Sequence, residues 1–441
     1  MRIGRSSNLA AGLAFVLLGN LYSAIRTQLF AQIGAEKDLP PAPVSRLIAS
    51  NGDPLILTWE LPQDRDLAGV VIRHAAGQFP NTVQTGMMIA DLPAPRTHID
   101  VPAAAALPVD HHFSVYTYDR DRLFSPAGHL RVYCDLDGCI TVPDPDTLNS
   151  IHDPDQAEAL RRRILAELWE GGNLPAWFPD AVSAIEDGRY PQASRIETLR
   201  IDMESGLFST AWFMTPQEPA GRLMIYHAGH ETDFHQSADV LQRLLEESCH
   251  VLALNMPLTG DNLPTGSDLS SHDDLESLAR PMHFFAEPVI VSLNYALQAG
   301  AFRHVAMMGL SGGGWTTTLA AAIDPRIDAA YSVAGGYPSY IRDQIPGNKG
   351  DFEQRNEAFW GQVSDLEMYI LAGANARYIQ FFNYHDPCCS QNSYALTYEN
   401  AVADIVRSLG GVFGVVIDYN QREHAISGFV LDTIFTLEDA P

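Results

Sequence analysis

The sequence predicts an α/β fold, a mostly parallel sheet flanked by helices, preceded by a small all-β sandwich. Three observations predict it. From about residue 150 onward, apolar strand-like runs alternate with helical stretches, the pattern of a parallel sheet covered on both faces. Between Val44 and Val132 the runs are short and alternating, are separated by turn residues and lack helical periodicity. Within the second region, His304-Val-Ala-Met-Met drives into Gly309-Leu-Ser311-Gly312-Gly313, and the Ala/Thr-rich stretch Trp315–Ile323 follows at once. That order is strand, sharp turn, helix.

The elements follow in chain order. Arg2 and Arg5 precede the uninterrupted small-and-apolar run Leu9–Leu18, which resembles a secretory signal. Tyr22-Ser-Ala24 is a poor cleavage site, so residues 1–34 are read as a signal peptide or an uncleaved N-terminal membrane anchor. Arginines before the apolar run place the remainder outside the cytoplasm, exported as a periplasmic or secreted protein. Residues 35–43, with Pro40-Pro-Ala-Pro43, read as a linker. Over residues 44–133, Leu55–Pro62, Leu67–His74 and Phe113–Asp119 resemble strands of a fibronectin type III domain. Trp59 would be its core tryptophan, while Phe113 stands where that family carries tyrosine. Such a unit spaces, docks or binds, and is expected to contribute nothing to catalysis.

Residues 150–441 carry the chemistry. Ile196–Met203 and Leu207–Thr215 alternate around Glu204-Ser205-Gly206 as a hairpin. The strand at Leu223, an amphipathic helix near Ser237–Glu247, the buried strand from His250 and a helix over Phe284–Ala299 lead to the glycine-flanked serine. A serine at so tight a turn needs glycine two residues on either side, so Gly309 and Gly313 are the sterically permitted choices. With both flanks correct, the segment resembles the nucleophile elbow of the α/β-hydrolase superfamily. The resemblance implies a serine esterase-like enzyme with Ser311 as nucleophile, an acid and a base following in that order at successive strand ends, and the N–H of Gly312 in an oxyanion hole.

Arg377–Tyr384 runs into His385-Asp386-Pro387, and Gly411–Ile417 leads into Asp418 and then His424. Asp386 and His424 therefore fall where acid and base belong. Asp418 and Glu423 are rivals for the acid, and His385 lies before the last strand, the wrong place for the base. A second oxyanion donor is expected from Tyr226-His227-Ala228-Gly229-His230, with Gly229 and His230 equal candidates. His227 and His230 are spaced like a metal pair, but no carboxylate or cysteine signature completes a zinc site, so neither metal nor cofactor is expected.

With 54 acidic and 28 basic residues the formal charge is −26, which argues against nucleic-acid binding. Of five cysteines, Cys134 and Cys139 could close a small loop at the domain junction, and a bridge at Cys388-Cys389 could brace the acid loop. Asp135-Leu-Asp137-Gly reads as a solvated turn. The polar stretch Leu258–Pro281 is expected to overhang the site. Tyr337, Tyr340, Phe352, Phe359 and Trp360 either line an acyl or sugar pocket or pack a small cap. The expected substrate is a carboxylic ester, small or attached to a polysaccharide. A serine peptidase on the same fold, or a non-catalytic adhesion protein, are the competing classes.

Overall fold

The computed structural model describes residues 39–50, 54–101, 109–136, 138–230, 233–264, 266 and 268–439. The proposed signal or anchor segment therefore lies outside the described residues. Among those described, no helix is long and apolar enough to cross a membrane.

The first part consists of two antiparallel sheets. Strands β1 (Ser45–Ala49), β2 (Leu55–Glu60) and β5 (His98–Val101) form one, in the order 1-2-5. The other, in the order 4-3-6-7-8, contains β3 (Leu67–Ala76), β4 (Met87–Pro93), β6 (Val109–Asp119), β7 (Gly128–Asp135) and β8 (Gly138–Val142). Their shared core holds Leu57, Trp59, Val70, Ile72, Phe113 and Val132. Cys134 and Cys139 face each other across the β7–β8 hairpin and are joined by a disulfide.

The second part is built on one nine-stranded sheet, ordered 17-16-15-14-12-13-11-10-9. Its members are β9 (Ala181–Ile185), β10 (Ala193–Asp202), β11 (Phe208–Pro216), β12 (Arg222–His227), β13 (Cys249–Leu254), β14 (His304–Leu310), β15 (Ala329–Val333), β16 (Arg377–Asn383) and β17 (Val412–Asp418). Strands β9, β10 and β11 are antiparallel, and from β13 to β17 every pairing is parallel. Parallel strands with both faces covered must be apolar throughout, and β14 is buried along nearly its whole length. Alternate residues then feed two cores. Ile225 and Met307 enter the one shared with α1 (Pro154–Leu168), α3 (His283–Ala299), α4 (Gly312–Ile323), α5 (Asp365–Gly373) and α6 (Leu396–Ser408). Met224, Tyr226 and Met308 enter the other, against α2 (Ala238–Glu246) and α7 (Gly428–Glu438).

Register aligns the carboxyl ends. His227 pairs with Gly309, Gly309 with Ser332, and Asn383 with Asp418. The loops after β12, β14, β16 and β17 therefore open on one edge, the usual place for a site in a parallel sheet.

The β7–β8 hairpin belongs to both parts. Cys134 and Cys139 pack in the first core, whereas Tyr133, Ile140 and Val142 pack in the large second one. Asp135 corrects the expected solvated turn. It is buried, and its carboxylate accepts from the Ser393 amide at 2.9 Å, the Ser393 hydroxyl and the Tyr384 hydroxyl. Asp137 lies outside the described residues.

One buried acid in α3 makes stability depend on pH. Burial pushes the carboxyl of Glu287 from 4.5 up to about 7. Below pH 4.5 both folded and unfolded chains hold the proton. Between 4.5 and 7 only the unfolded chain releases it, so stability falls across that window and stays lower above it. Glu287→Gln removes this penalty. Urea unfolding should find the variant more stable than wild type by up to ~3 kcal/mol at pH 8, with the difference vanishing near pH 4.

Candidate active site

Ser311 sits between β14 and α4 at φ 56°, ψ −123°. Only glycine visits this region freely, and a serine held there is strained and projects from the end of the strand. Its amide donates to the Val333 carbonyl at 2.8 Å, and its carbonyl accepts from Trp315 at 3.0 Å, so both neighbours fix the turn. The glycines are steric necessities. A Cβ on Gly309 would meet the Gly313 carbonyl oxygen at 2.3 Å, and one on Gly313 the His227 carbonyl oxygen at 2.1 Å. Gly312 is the first residue of α4, where the amide has no carbonyl of its own helix to reach.

Asp386 follows β16 and is buried. Its Oδ2 lies 2.8 Å from His424 Nδ1, and its Oδ1 accepts the Cys388 amide at 2.8 Å. His424 Nε2 is buried and has no hydrogen-bond partner among the described residues, leaving it as a proton acceptor once Nδ1 carries the proton. Asn383 pins the histidine loop, its Nδ2 donating to the carbonyls of Glu423 and Ala425 at 3.1 and 2.9 Å. Asp418 is engaged elsewhere, accepting from the Asn420 and Gln421 amides and the Ser427 hydroxyl. Glu423 is exposed, and His385 packs edge-on against Tyr384.

The loop after β12 reaches the same cleft. His227 is buried, its Nδ1 2.9 Å from the Ala228 carbonyl, and burial depresses its pKa to about 4. The His230 ring lies against Gly312, with Cε1 2.4 Å from where a Gly312 Cβ would stand. Its Nε2 is 2.9 Å from Glu353 Oε1, and His272 Nδ1 is 3.3 Å from Oε2 of the same carboxylate. Burial opposes ionisation of Glu353, yet the hydrogen bonds from His230 and His272 hold its carboxyl at about 2. The donor atoms of His230, His272 and Glu353 lie within 4.8 Å of one another, close enough to share a cation, although their mutual hydrogen bonds already satisfy them. Residue-by-residue reading missed this triad because Glu353 lies 123 positions from His230.

The cleft is lined by His230, Ser311, Gly312, Cys388 and Cys389, with Arg342, Asn348, Lys349, Asp351, Gln354 and Gln391 on its polar wall. Leu258–Pro281 contributes His272 and borders an adjoining cleft with Thr259, Ser270 and Ser271. The aromatic insertion mostly packs. Phe352 and Phe359 are buried, Tyr340 bonds Thr397, and Trp360 Nε1 donates to the Glu353 carbonyl. The Tyr337 hydroxyl lies 3.3, 2.9 and 3.0 Å from the carbonyls of Ser390, Gln391 and Asn392.

No family model and no curated protein sequence matches the chain. Solved structures do. The methylesterase BT1017 aligns over 66% of this chain and 65% of its own, at 14% identity and a TM-score of 0.50. The acetyl xylan esterase from Paenibacillus sp. R4 aligns over 67% of this chain and 98% of its own, at 16% identity and a TM-score of 0.44. Acetyl xylan esterase 1 from Thermoanaerobacterium sp. JW/SL YS485 gives 67%, 98%, 16% and 0.42. At 14% identity the likeness to the methylesterase speaks for the fold alone, a mixed sheet covered by helices.

Substitutions at Gly313 and Asp135 probe the frame. Gly313→Ala should cost about 3 kcal/mol or more by driving the His227–Ala228 strand end away, whereas Gly188→Ala, which meets nothing within 4 Å, should be neutral in urea unfolding. Asp135→Ala strips the acceptor from the two buried donors of Ser393 and the half-buried Tyr384 hydroxyl and should destabilise by about 2–4 kcal/mol, with Asp135→Asn intermediate.

Proposed function

We propose that the protein is an exported carboxylic ester hydrolase acting through Ser311, Asp386 and His424. The observation that carries this reading is a serine in a backbone conformation closed to most residues, in a cleft it shares with Cys388 and Cys389, and a histidine that lies within 4.8 Å of those two sulfurs, with its Nδ1 engaged by a buried carboxylate and its Nε2 without a partner among the described residues. His424 takes the Ser311 proton as the hydroxyl attacks the ester carbonyl, and returns it to the departing alcohol. Asp386 keeps Nδ1 protonated and stabilises the imidazolium. The Gly312 amide, with that of Gly229 or His230, receives the developing oxyanion at the positive end of α4. Water then repeats the sequence on the acyl-enzyme.

A cleft walled by Arg342, Asn348, Lys349, Gln354 and Gln391 suits a hydrophilic alcohol part, and the crowding of His230 against Gly312 suits a short acyl group. Short acyl or methyl esters on polysaccharides are therefore the substrate class we favour. The N-terminal unit is proposed to be fibronectin type III-like on its strand orders 1-2-5 and 4-3-6-7-8, the last strand being an addition at the edge, with Trp59 buried at the core. The Cys134–Cys139 disulfide agrees with export.

Ser311→Ala, Asp386→Asn and His424→Ala should each lower kcat by roughly three or more orders of magnitude with unchanged circular dichroism, and the losses should not add, because the three act as one unit. A fluorophosphonate should label wild type and not Ser311→Ala. Turnover of p-nitrophenyl acetate and acetylated xylan but not of peptide amides separates an esterase from a peptidase. Full activity of Asp386→Asn together with an inactive Asp418→Asn would reassign the acid.

A further inference from the structure

We propose that Cys388 and Cys389 close into a vicinal disulfide, an eight-membered ring in the wall of the Ser311 cleft that braces the acid loop. The two sulfurs lie 2.6 Å apart, well inside the ~3.5–4 Å contact distance of non-bonded heavy atoms. The backbone on both sides of the pair is fixed. The Cys388 amide is held by Asp386 Oδ1, and the Cys389 carbonyl accepts from Asn348 Nδ2 at 2.7 Å. The next three carbonyls face the buried Tyr337 hydroxyl. The pair also belongs to the site, since both cysteines line the cleft beside Ser311 and a ring nitrogen of His424 lies within 4.8 Å of the two sulfurs.

A soft cation shared by Cys388, Cys389 and His424 is the competing use of these atoms. It would need both thiols held as thiolates throughout, and burial, then the Cys388 sulfur and the Asp386 carboxylate, push the Cys389 thiol above its ordinary range, whereas closure needs a thiolate only in passing. A disulfide is neutral and leaves the Asp386–His424 pair undisturbed. Closure breaks two S–H bonds and forms one S–S bond. The two protons and two electrons pass to a disulfide oxidant such as oxidised glutathione, which leaves as two thiols. Cys249, buried away from the pair, is then the only cysteine of the five without a bridge, because Cys134 and Cys139 are already joined.

The test is a thiol count on the full chain, equilibrated with oxidised glutathione, denatured and alkylated. One alkylated residue, Cys249, before reduction and five after it are expected, with a peptide map carrying the bridge at 388–389. Three alkylated residues before reduction, or a glutathione adduct on Cys388, would overturn the ring. This count does not depend on the esterase reading. The bracing role rests on that reading and is measured separately. A phosphine reductant should lower kcat roughly five-fold with little change in KM, reversibly, because the base's acid partner loses its fixed aim. C134S/C139S should keep the response and C388S/C389S should lack it. A response that persists in C388S/C389S, or that is absent from wild type carrying a mapped ring, would overturn the bracing role.

Discussion

A serine at φ 56° survives in this chain because the end of β14 and the start of α4 are pressed together until only hydrogen atoms fit between them. Gly309 faces the Gly313 carbonyl, and Gly313 faces the carbonyls of His227 and Ala228. The strain at Ser311 is thus borne by three neighbouring strand ends at once, β12, β14 and β15, and the same contacts set where the β12 loop begins. Position of Ser311 and position of the loop after β12 are one constraint. Strained backbone of this kind persists only where its surroundings over-determine it, and here α4 is buried along its whole length.

The loop that carries Asp386 is secured from an unexpected side. Asp135, at the tip of the hairpin that ends the N-terminal unit, gathers the Tyr384 and Ser393 donors that bracket Asp386 and the two cysteines. Arg131 adds a bond to the Thr397 carbonyl, and the Thr141 amide one to Gln344. A unit read from sequence as a bystander is in this way part of the scaffold of the site. Its removal would take Tyr133, Ile140 and Val142 out of the large core as well as orphan those donors.

The third support is electrostatic. Glu353 is wholly buried, and an isolated carboxylate there would be forced neutral. Facing His230 and His272, it stays charged, and it draws the His230 ring over Gly312. The ionic group therefore orients a loop whose backbone is a candidate oxyanion donor, which is a use of a buried charge distinct from net stability.

Much of this was legible in the chain itself. Period-two and continuous apolar runs marked the strands, since burial on one or both faces selects those patterns, and the elbow glycines declared a turn that no other residue can make. The approach of Asp386 to His424 could be foreseen because strand ends in a parallel sheet come to one edge whatever the loops contain. The short edge strand β9, mostly exposed, left no apolar signature and was not anticipated. Asp135, Glu353 and His272 gave no local sign either. Their meaning lies in partners 258, 123 and 81 positions away, and only the folded chain decides which polar groups are buried together and must satisfy one another.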